Sequence, residues 1–290
     1  MAASRNDAVR HLVANAPISR DVVKRFVAGE TTEDAVEVVR GLGLPVTLDY
    51  LGEDTKDESQ AERTVQAYLE LLDALHAAGL AVNAEVSVKL TAVGQTLDES
   101  LALTNASRIC AAAEQCGTTV TLDMEDHTTT DSTLRVLHEL RRTWPWVGAV
   151  LQSYLHRTLD DCKALSGAGS RVRLVKGAYA EPPEVAIQDP SEVDLNYVRC
   201  LNVLLAGEGY PMFATHDPRL IEIIGERARW YDKTDFEYQM LYGIRPEEQR
   251  RLGTRVYVPY GEQWYGYLMR RLAERPANVT FFLRSLASRS

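Results

Sequence analysis

The chain has 290 residues, 45% of them hydrophobic, which is enough to bury a full core as one α/β domain. Its net charge of -9 and pI of about 5.3 argue against nucleic-acid binding, because that role needs a basic surface to neutralise phosphates. Four cysteines without a CxxC pair favour reduced thiols over a zinc site or a disulfide framework.

The first 44 residues predict two or three helices, in segments 9–17, 20–29 and 31–43. We expect residues 1–44 to form a helical arm, packed largely against the domain that follows, and residues 45–290 to form one catalytic domain. The polar N-terminus does not resemble a signal peptide, and no apolar run reaches about 18 residues. We therefore expect a cytoplasmic protein, with peripheral attachment at the inner face of a membrane left open.

From Pro45 onward, eight short runs rich in β-branched residues alternate with alanine- and leucine-rich stretches of helical spacing. Two of these stretches, 58–79 and 97–117, end at a glycine suited to a helix stop. Strands that alternate with helices indicate a parallel sheet, and eight units favour a (βα)8 TIM-type barrel over an open sheet. Neither GxGxxG nor GxxxxGK[ST] occurs, which disfavours a Rossmann or P-loop nucleotide site. The runs are VTLDYL, VNAEVSVKL, TVTLDMED, VGAVLQSYL, RVRLVKG, PMFATH, TDFEYQML and TRVYVPYG.

Polar residues end most of these runs, and barrel enzymes carry their reactive groups at the carboxyl ends of the strands. Such residues predict a large polar ligand, because charged groups buried there without partners would be costly. Each has a structural alternative: the lysines could be solvated charges, and His216 could be a core histidine next to Asp217. In run order the polar ends are Lys89, Asp123 with Met124 and Glu125, Gln152 and Tyr154, Lys176 to Tyr179, Thr215 and His216, Gln239 and Leu241, and Tyr257.

Three further groups of charged residues stand out. The acidic stretch from Asp123 to His127 resembles a metal cluster, but all its members lie on one loop, so a helix cap is the better interpretation. Alternation places Arg171 and Arg173 on one face of a strand, where a barrel must pair them or turn them toward a ligand. The adjacent Arg270 and Arg271, in a predicted last helix entered at Pro259 and Gly261, form either a carboxylate clamp or a solvated face.

The segments RVRLVKGAYAE, FATHDP, FEYQMLYGIR and RVYVPYGEQWYGYLMRRLAERPANV, in this order, resemble the proline dehydrogenase family of flavoenzymes. The resemblance runs from about Pro45 to Ser285. It implies a distorted (βα)8 barrel that binds FAD at its carboxyl mouth, with the last helix over that mouth. It also implies oxidation of L-proline to 1-pyrroline-5-carboxylate, the first step of proline degradation to glutamate.

Matched by motif, the resemblance implies that Lys89, Arg270 and Arg271 hold the substrate carboxylate, and that Asp123 and Arg173 have catalytic roles. It implies that Tyr257, Tyr267 and Leu241 form the apolar walls around the proline ring. The implied FAD contacts are Met124, Gln152, Lys176, Gly177, Ala178, Thr215 and His216. Gly177 is expected to let the backbone approach the cofactor closely.

The implied chemistry is hydride transfer from proline C5 to flavin N5, and Asp123 is only one candidate for the proton acceptor. A quinone is the expected electron acceptor, and a separate pyrroline-5-carboxylate dehydrogenase is expected to take the product. Two residues depart from the family pattern: Ala180, where many members carry an aromatic residue, and Asp217, where asparagine is common.

Two alternatives to this function stay open at the level of sequence. The first is a Schiff-base lyase, with Lys89 or Lys176 as the nucleophile at a strand end. The second is a non-catalytic protein that binds amino acids. A flavin spectrum that bleaches with proline would separate both alternatives from the dehydrogenase.

Overall fold

In a computed structural model, residues 23–52 and 55–273 are described, without the side chains of residues 270–273. Eight strands pair in sequential order, each parallel to the next, and β8 pairs with β1 to close the barrel. The predicted (βα)8 architecture is therefore confirmed. The strands are β1 (Val46–Tyr50), β2 (Ala84–Val88), β3 (Thr119–Leu122), β4 (Gly148–Gln152), β5 (Arg171–Val175), β6 (Tyr210–Ala214), β7 (Glu237–Leu241) and β8 (Arg255–Tyr260).

The helices begin and end where the local sequence predicts. Asp57 and Asp98 cap the second and third helices by accepting hydrogen bonds from backbone N–H groups in their first turns. The third helix stops at Gly117, whose φ of 74° is left-handed. No helix in the described ranges is both long enough and apolar enough to cross a membrane. The helices are α1 (Thr32–Leu42), α2 (Glu58–Ala77), α3 (Glu99–Cys116), α4 (Thr130–Arg141), α5 (Thr158–Ala164), α6 (Pro190–Ala206), α7 (Pro218–Trp230), α8 (Pro246–Leu252) and α9 (Trp264–Ala273).

The two faces of the strands are buried for different reasons. Outward-facing residues such as Leu48, Val86 and Leu122 pack against the surrounding helices in one continuous apolar core. The inward-facing positions alternate with these and are mostly polar, as at Glu85 and Arg173. The hydrophobic core therefore lies outside the barrel, whereas the barrel interior is a network of charges.

The last helix leaves the barrel wall and covers the mouth. Tyr267 on α9 reaches the cavity at the carboxyl ends of the strands, while α1 packs against α2 and β8. Residues 23–26 form a helical turn that packs with Leu51 against α9, and Trp264 donates a hydrogen bond to Glu30 (2.8 Å). Of the predicted arm, residues 1–22 lie outside the described residues. The segment at 23–30 thus fixes the position of the helix over the mouth.

The predicted end of the eighth strand was wrong. Tyr257 lies within β8, and Pro259, which we expected in the turn before the last helix, still pairs in register with Asp49. The pairing of β7 with β8 ends at Leu241 and Tyr257, so a proline beyond that point removes no hydrogen bond from that ladder. Only Gly261, with a φ of 115°, forms the turn.

Candidate active site

A cavity of about 580 Å³ opens at the carboxyl ends of the strands. Thirteen residues that the family resemblance nominated for the site line this cavity, together with Asp49, Asp217 and the strand-end residues Tyr179 and Gln239. The side chains of Arg270 and Arg271 lie outside the described part of the chain, so only their place on the backbone of α9 is known. The thirteen are Lys89, Asp123, Met124, Gln152, Arg173, Lys176, Gly177, Ala178, Thr215, His216, Leu241, Tyr257 and Tyr267.

Lys89 is the centre of the polar group nearest the mouth. Its Nζ donates to both carboxylate oxygens of Asp49 at 2.8 Å and lies 3.4 Å from Asp123 Oδ2. Burial alone would lower the pKa of Lys89, but the carboxylates of Asp49 and Asp123 outweigh it and raise this pKa well above the ordinary value. A Schiff-base nucleophile must be a neutral amine, so this geometry argues against the lyase role for Lys89.

The two carboxylates beside Lys89 differ in their proton affinity. Burial raises the pKa of Asp49 to about 6, and Lys89 opposes the shift only in part. Burial also acts on Asp123, but Lys89, Arg173 and a hydrogen bond from Tyr257 (2.7 Å) outweigh it and lower its pKa. Asp123 therefore stays ionised near neutral pH, while Asp49 lies closer to taking up a proton.

Arg173 lies below Lys89, deeper in the barrel, and is 3% exposed. Its Nη1 donates to Asp123 Oδ1 (2.9 Å) and Ser87 Oγ (3.0 Å), and its Nη2 donates to Glu85 Oε1 (3.0 Å). Its guanidinium also lies 5.3 Å from the centre of the Tyr257 ring. Its Nε is buried and finds no hydrogen-bond partner among the described residues. Arg173 is therefore held by three hydrogen bonds from its two Nη atoms, whereas its Nε–H has no partner among the described residues.

The deepest layer of the barrel is a network of ion pairs. Glu85 accepts hydrogen bonds from Arg171 (2.5 Å) and Arg173, so both strand arginines are paired, which is one of the two arrangements that the sequence left open. On the neighbouring strands β7 and β8, Arg255 donates to Glu237 at 2.8 Å. The described inward-facing side chains thus balance four carboxylates against four cations. These are Asp49, Glu85, Asp123 and Glu237, and Lys89, Arg171, Arg173 and Arg255.

Gln152 closes the cavity on the side of β4. Its amide nitrogen donates to the carbonyl oxygens of Met124 (3.3 Å) and Glu125 (3.1 Å), which fixes the orientation of the amide. Its Oε1 is buried without a partner among the described residues. Gln152 and Arg173 therefore both line the cavity, and each carries one buried polar atom without a hydrogen-bond partner among the described residues.

Gly177 is required for a reason that the sequence did not reveal. Its φ is 114°, and a Cβ atom at this position would lie 2.3 Å from the ring of Tyr154. The Tyr154 hydroxyl in turn lies 3.4 Å from Glu181. The glycine is thus explained by a protein side chain, whether or not a cofactor also approaches it.

The β5 and β6 side of the mouth carries a second charged group. Lys176 Nζ lies 2.5 Å from Asp194 and 3.4 Å from Asp217, so this lysine also has carboxylate partners. Nearby, His216 Nε2 accepts a hydrogen bond from the backbone N–H of Leu241 (2.9 Å). That bond places any proton of the neutral ring on Nδ1. The β7 backbone is therefore one hydrogen-bond partner of the His216 ring.

The acidic loop after β3 does not converge on one point. Asp126 caps the 3₁₀ turn His127–Thr129 by accepting from Thr128 N, so the expected cap lies on this turn and not on α4, whose N-cap Thr129 makes no side-chain hydrogen bond. Glu125 accepts from Thr91, and His127 binds Glu181. Within the described ranges, no group of three or more His, Cys, Asp or Glu side chains could hold a metal ion.

Three residues that bind the nominated side chains were missed at the level of sequence. Asp49, Glu85 and Ser87 contact Lys89 or Arg173, yet none of them ends a strand. A signal was present, since polar residues at every second position of VNAEVSVKL contradict an ordinary apolar strand. Inspection of strand ends alone could not find them.

Comparison with known proteins gave consistent results. Residues 32–284 match the family model described as proline dehydrogenase. Proline dehydrogenase of Deinococcus radiodurans is 42% identical over 281 residues, which cover 92% of this chain and 90% of that protein. Proline dehydrogenase 1 of Bacillus subtilis is 39% identical over 273 residues, which cover 91% and 90% of the two chains.

Solved structures of longer proteins share the fold. Proline utilization A from Bdellovibrio bacteriovorus, inactivated by N-propargylglycine, superposes with a TM-score of 0.79 at 27% identity over 88% of this chain. Proline utilization A from Bradyrhizobium japonicum gives a TM-score of 0.75 at 23% identity, which supports the fold alone. This chain spans about a third of both, 33% and 31% of their lengths.

Proposed function

The chain belongs to the proline dehydrogenase family, and from this we propose that it oxidises L-proline to 1-pyrroline-5-carboxylate with FAD as cofactor. It is an oxidoreductase of the class that acts on the CH–NH group of donors. The observation that carries the assignment of the site is the convergence of thirteen nominated residues on one cavity at the barrel mouth.

The residues present fit a flavin. Gln152 Oε1, an acceptor, and Arg173 Nε, a donor, are both buried without partners among the described residues. An isoalloxazine ring has N–H and carbonyl groups that suit both. Met124, Gly177, Ala178, Thr215 and His216 line the same space. When bound, FAD would supply the hydride acceptor at N5, and Arg173 would supply the cation that stabilises the added negative charge.

Binding of the substrate carboxylate should depend chiefly on Arg270 and Arg271. The charge of Lys89 is already matched by Asp49 and Asp123, and the described interior charges cancel. A carboxylate that enters a neutral polar site needs an additional cation. We therefore assign the clamp to the two arginines. Lys89 is a third donor, and its ion pair with Asp49 weakens its attraction for the substrate carboxylate. Tyr257, Tyr267 and Leu241 form the walls against the pyrrolidine ring.

The amine of proline must lose a proton before the hydride leaves C5, because the nitrogen lone pair forms the C=N bond. Asp123 stays charged and is held by Arg173, Lys89 and Tyr257, so it suits electrostatic positioning better than proton uptake. Asp49, with its pKa raised to about 6, is the better acceptor on the protein. We further propose a quinone as electron acceptor and a separate pyrroline-5-carboxylate dehydrogenase for the product, by analogy with the family.

The visible spectrum of the purified protein tests this function. We expect a flavin spectrum that bleaches when proline is added without oxygen. Arg271→Ala should raise the apparent KM for proline at least about tenfold and keep the flavin, because a charge-assisted pair is lost. The control is Arg108→Ala, which removes an arginine paired with Glu62 on the outer helices. A colourless protein, or one that proline does not bleach, would refute the proposal.

A further inference from the structure

Two acids and two bases form a closed group at the rim of the cavity, beside β5 and β6. Lys176 Nζ contacts Asp194 Oδ1 at 2.5 Å and Asp217 Oδ2 at 3.4 Å. Arg219 Nη2 contacts the other oxygen of Asp194 at 3.4 Å and Asp217 Oδ2 at 3.3 Å. The charges of this rim cluster, Lys176, Asp194, Asp217 and Arg219, cancel.

Within the rim cluster, Lys176 and Asp217 face the cavity directly. The side chain of Lys176 is 37% exposed and that of Asp217 is 18% exposed, so a ligand can reach both. Arg219 points mostly to solvent, with 78% of its side chain exposed. A ligand in the cavity therefore meets the lysine and the aspartate together, while the arginine lies behind them.

Asp217 is fixed in place and charged. It caps α7, where its Oδ1 accepts from the backbone N–H of Arg219 at 3.0 Å, and Pro218 follows at the first helical position. Burial would raise the pKa of Asp217, but hydrogen bonds from Arg219 and the charge of Lys176 outweigh it and lower this pKa. The carboxylate thus occupies the positive end of a 13-residue helix that would otherwise attract an anion.

We propose that Asp217 is an affinity-limiting residue for the flavin dinucleotide, because it competes with the pyrophosphate for Lys176 and for the start of α7. The inference rests on the proposed use of FAD. A dinucleotide on Lys176 brings two negative charges next to Asp217, and each contact to Lys176 must displace part of an existing ion pair. Uncharged parts of the flavin have no such conflict. Asp217 therefore weakens binding of the phosphate portion selectively.

Flavin titrations of the full chain, freed of bound flavin, test this inference. Asp217→Asn retains the cap, because asparagine caps helices as well as aspartate does, but it removes the charge. We expect the Kd for FAD to fall about three- to tenfold and the Kd for riboflavin, which has no phosphate, to stay the same. Fluorescence quenching of each flavin gives both constants without turnover.

Two further variants make the test specific. Asp189→Asn is the matched control, since Asp189 caps α6 in the same way, through Ser191 and Glu192, but has no contact with Lys176. It should change neither constant. In a Lys176→Met background, Asp217→Asn should give a smaller gain in FAD affinity, because the contested cation is gone and only the competition for the start of α7 remains.

The outcomes separate this inference from the proposed function. Three outcomes would overturn the proposed role of Asp217 but not the use of FAD. These are weaker or unchanged FAD binding in Asp217→Asn, an equal gain in affinity for riboflavin, or an equal gain in FAD affinity when Lys176 is absent. A parent chain that binds FAD tightly in the same series would leave the dehydrogenase assignment intact. Failure of the parent chain to bind any flavin would overturn both.

Discussion

At the scale of single residues, Gly177 shows how one missing side chain shapes the mouth. Its φ of 114° favours glycine, and the ring of Tyr154 occupies the space where a Cβ atom would lie, 2.3 Å away. Gly177→Ala therefore has two costs, backbone strain and a steric clash. We expect it to lower the free energy of unfolding by about 3 kcal/mol or more, measured by urea denaturation.

Gly169→Ala separates the two costs. Gly169 also has a positive φ, 76°, but a Cβ atom at this position would meet nothing within 4 Å, so only the backbone cost applies. A loss of about 1–2 kcal/mol is expected there. Equal losses in the two variants would show that Tyr154 moves away freely and does not define this wall of the cavity.

At the scale of elements, the inner faces of the strands are held together by charge, and Glu85 on β2 is the centre of that layer. Burial would raise the pKa of Glu85, but Arg171, Arg173 and Arg255 outweigh it and lower this pKa from 4.5 to about 2. A depressed carboxyl pKa stabilises the fold above pH 4.5, and this stabilisation is lost as the pH falls toward 2.

Glu85→Gln should lower the free energy of unfolding at pH 7 by about 3 kcal/mol, because it leaves Arg171 without its carboxylate and Arg173 with Asp123 alone. The difference in unfolding free energy between this variant and the parent chain should shrink by about 1 kcal/mol at pH 4, as measured by urea denaturation.

Glu62→Gln is the control, since Arg108 lowers the pKa of Glu62 to about 2 as well, but at the surface. Because solvent screens this surface pair, Glu62→Gln should lower the free energy of unfolding by less than about 1 kcal/mol. A similar loss in both variants would contradict the role of the buried layer.

The position of α9 depends on the segment that precedes α1. Trp264→Phe removes the hydrogen bond to Glu30 and should raise the apparent KM for proline about three- to tenfold, because α9 carries Tyr267 and both arginines. Trp144→Phe removes a comparable bond to Glu114 (3.1 Å) away from the mouth. Steady-state kinetics should show no change in KM for that control. An equal change in both variants would indicate general loosening of the fold.

At the scale of the whole molecule, the order of the eight strands followed from the sequence, because short β-branched runs alternate with helical stretches along the chain. The meeting of nominated residues such as Thr215 and Leu241 at one mouth followed as well, since parallel strands end at the same side of a barrel. The pairing of each carboxylate with its cation could not be predicted from the sequence, because it depends on the register between strands. Glu85 and Arg173, for example, are 88 positions apart in the sequence.

The net charge of the molecule leads to a prediction about flavin loading. The described interior charges cancel, so the net charge of -9 belongs to the rest of the chain and repels an anionic dinucleotide at a distance. Salt screens this repulsion over about 10 Å at about 0.1 M. The association rate of FAD with flavin-free protein should therefore rise about two- to fivefold between low and high salt, in stopped-flow fluorescence. Uncharged riboflavin should show no such rise. A rate that falls with salt would contradict this prediction, because salt slows association only where the field that guides the ligand is attractive.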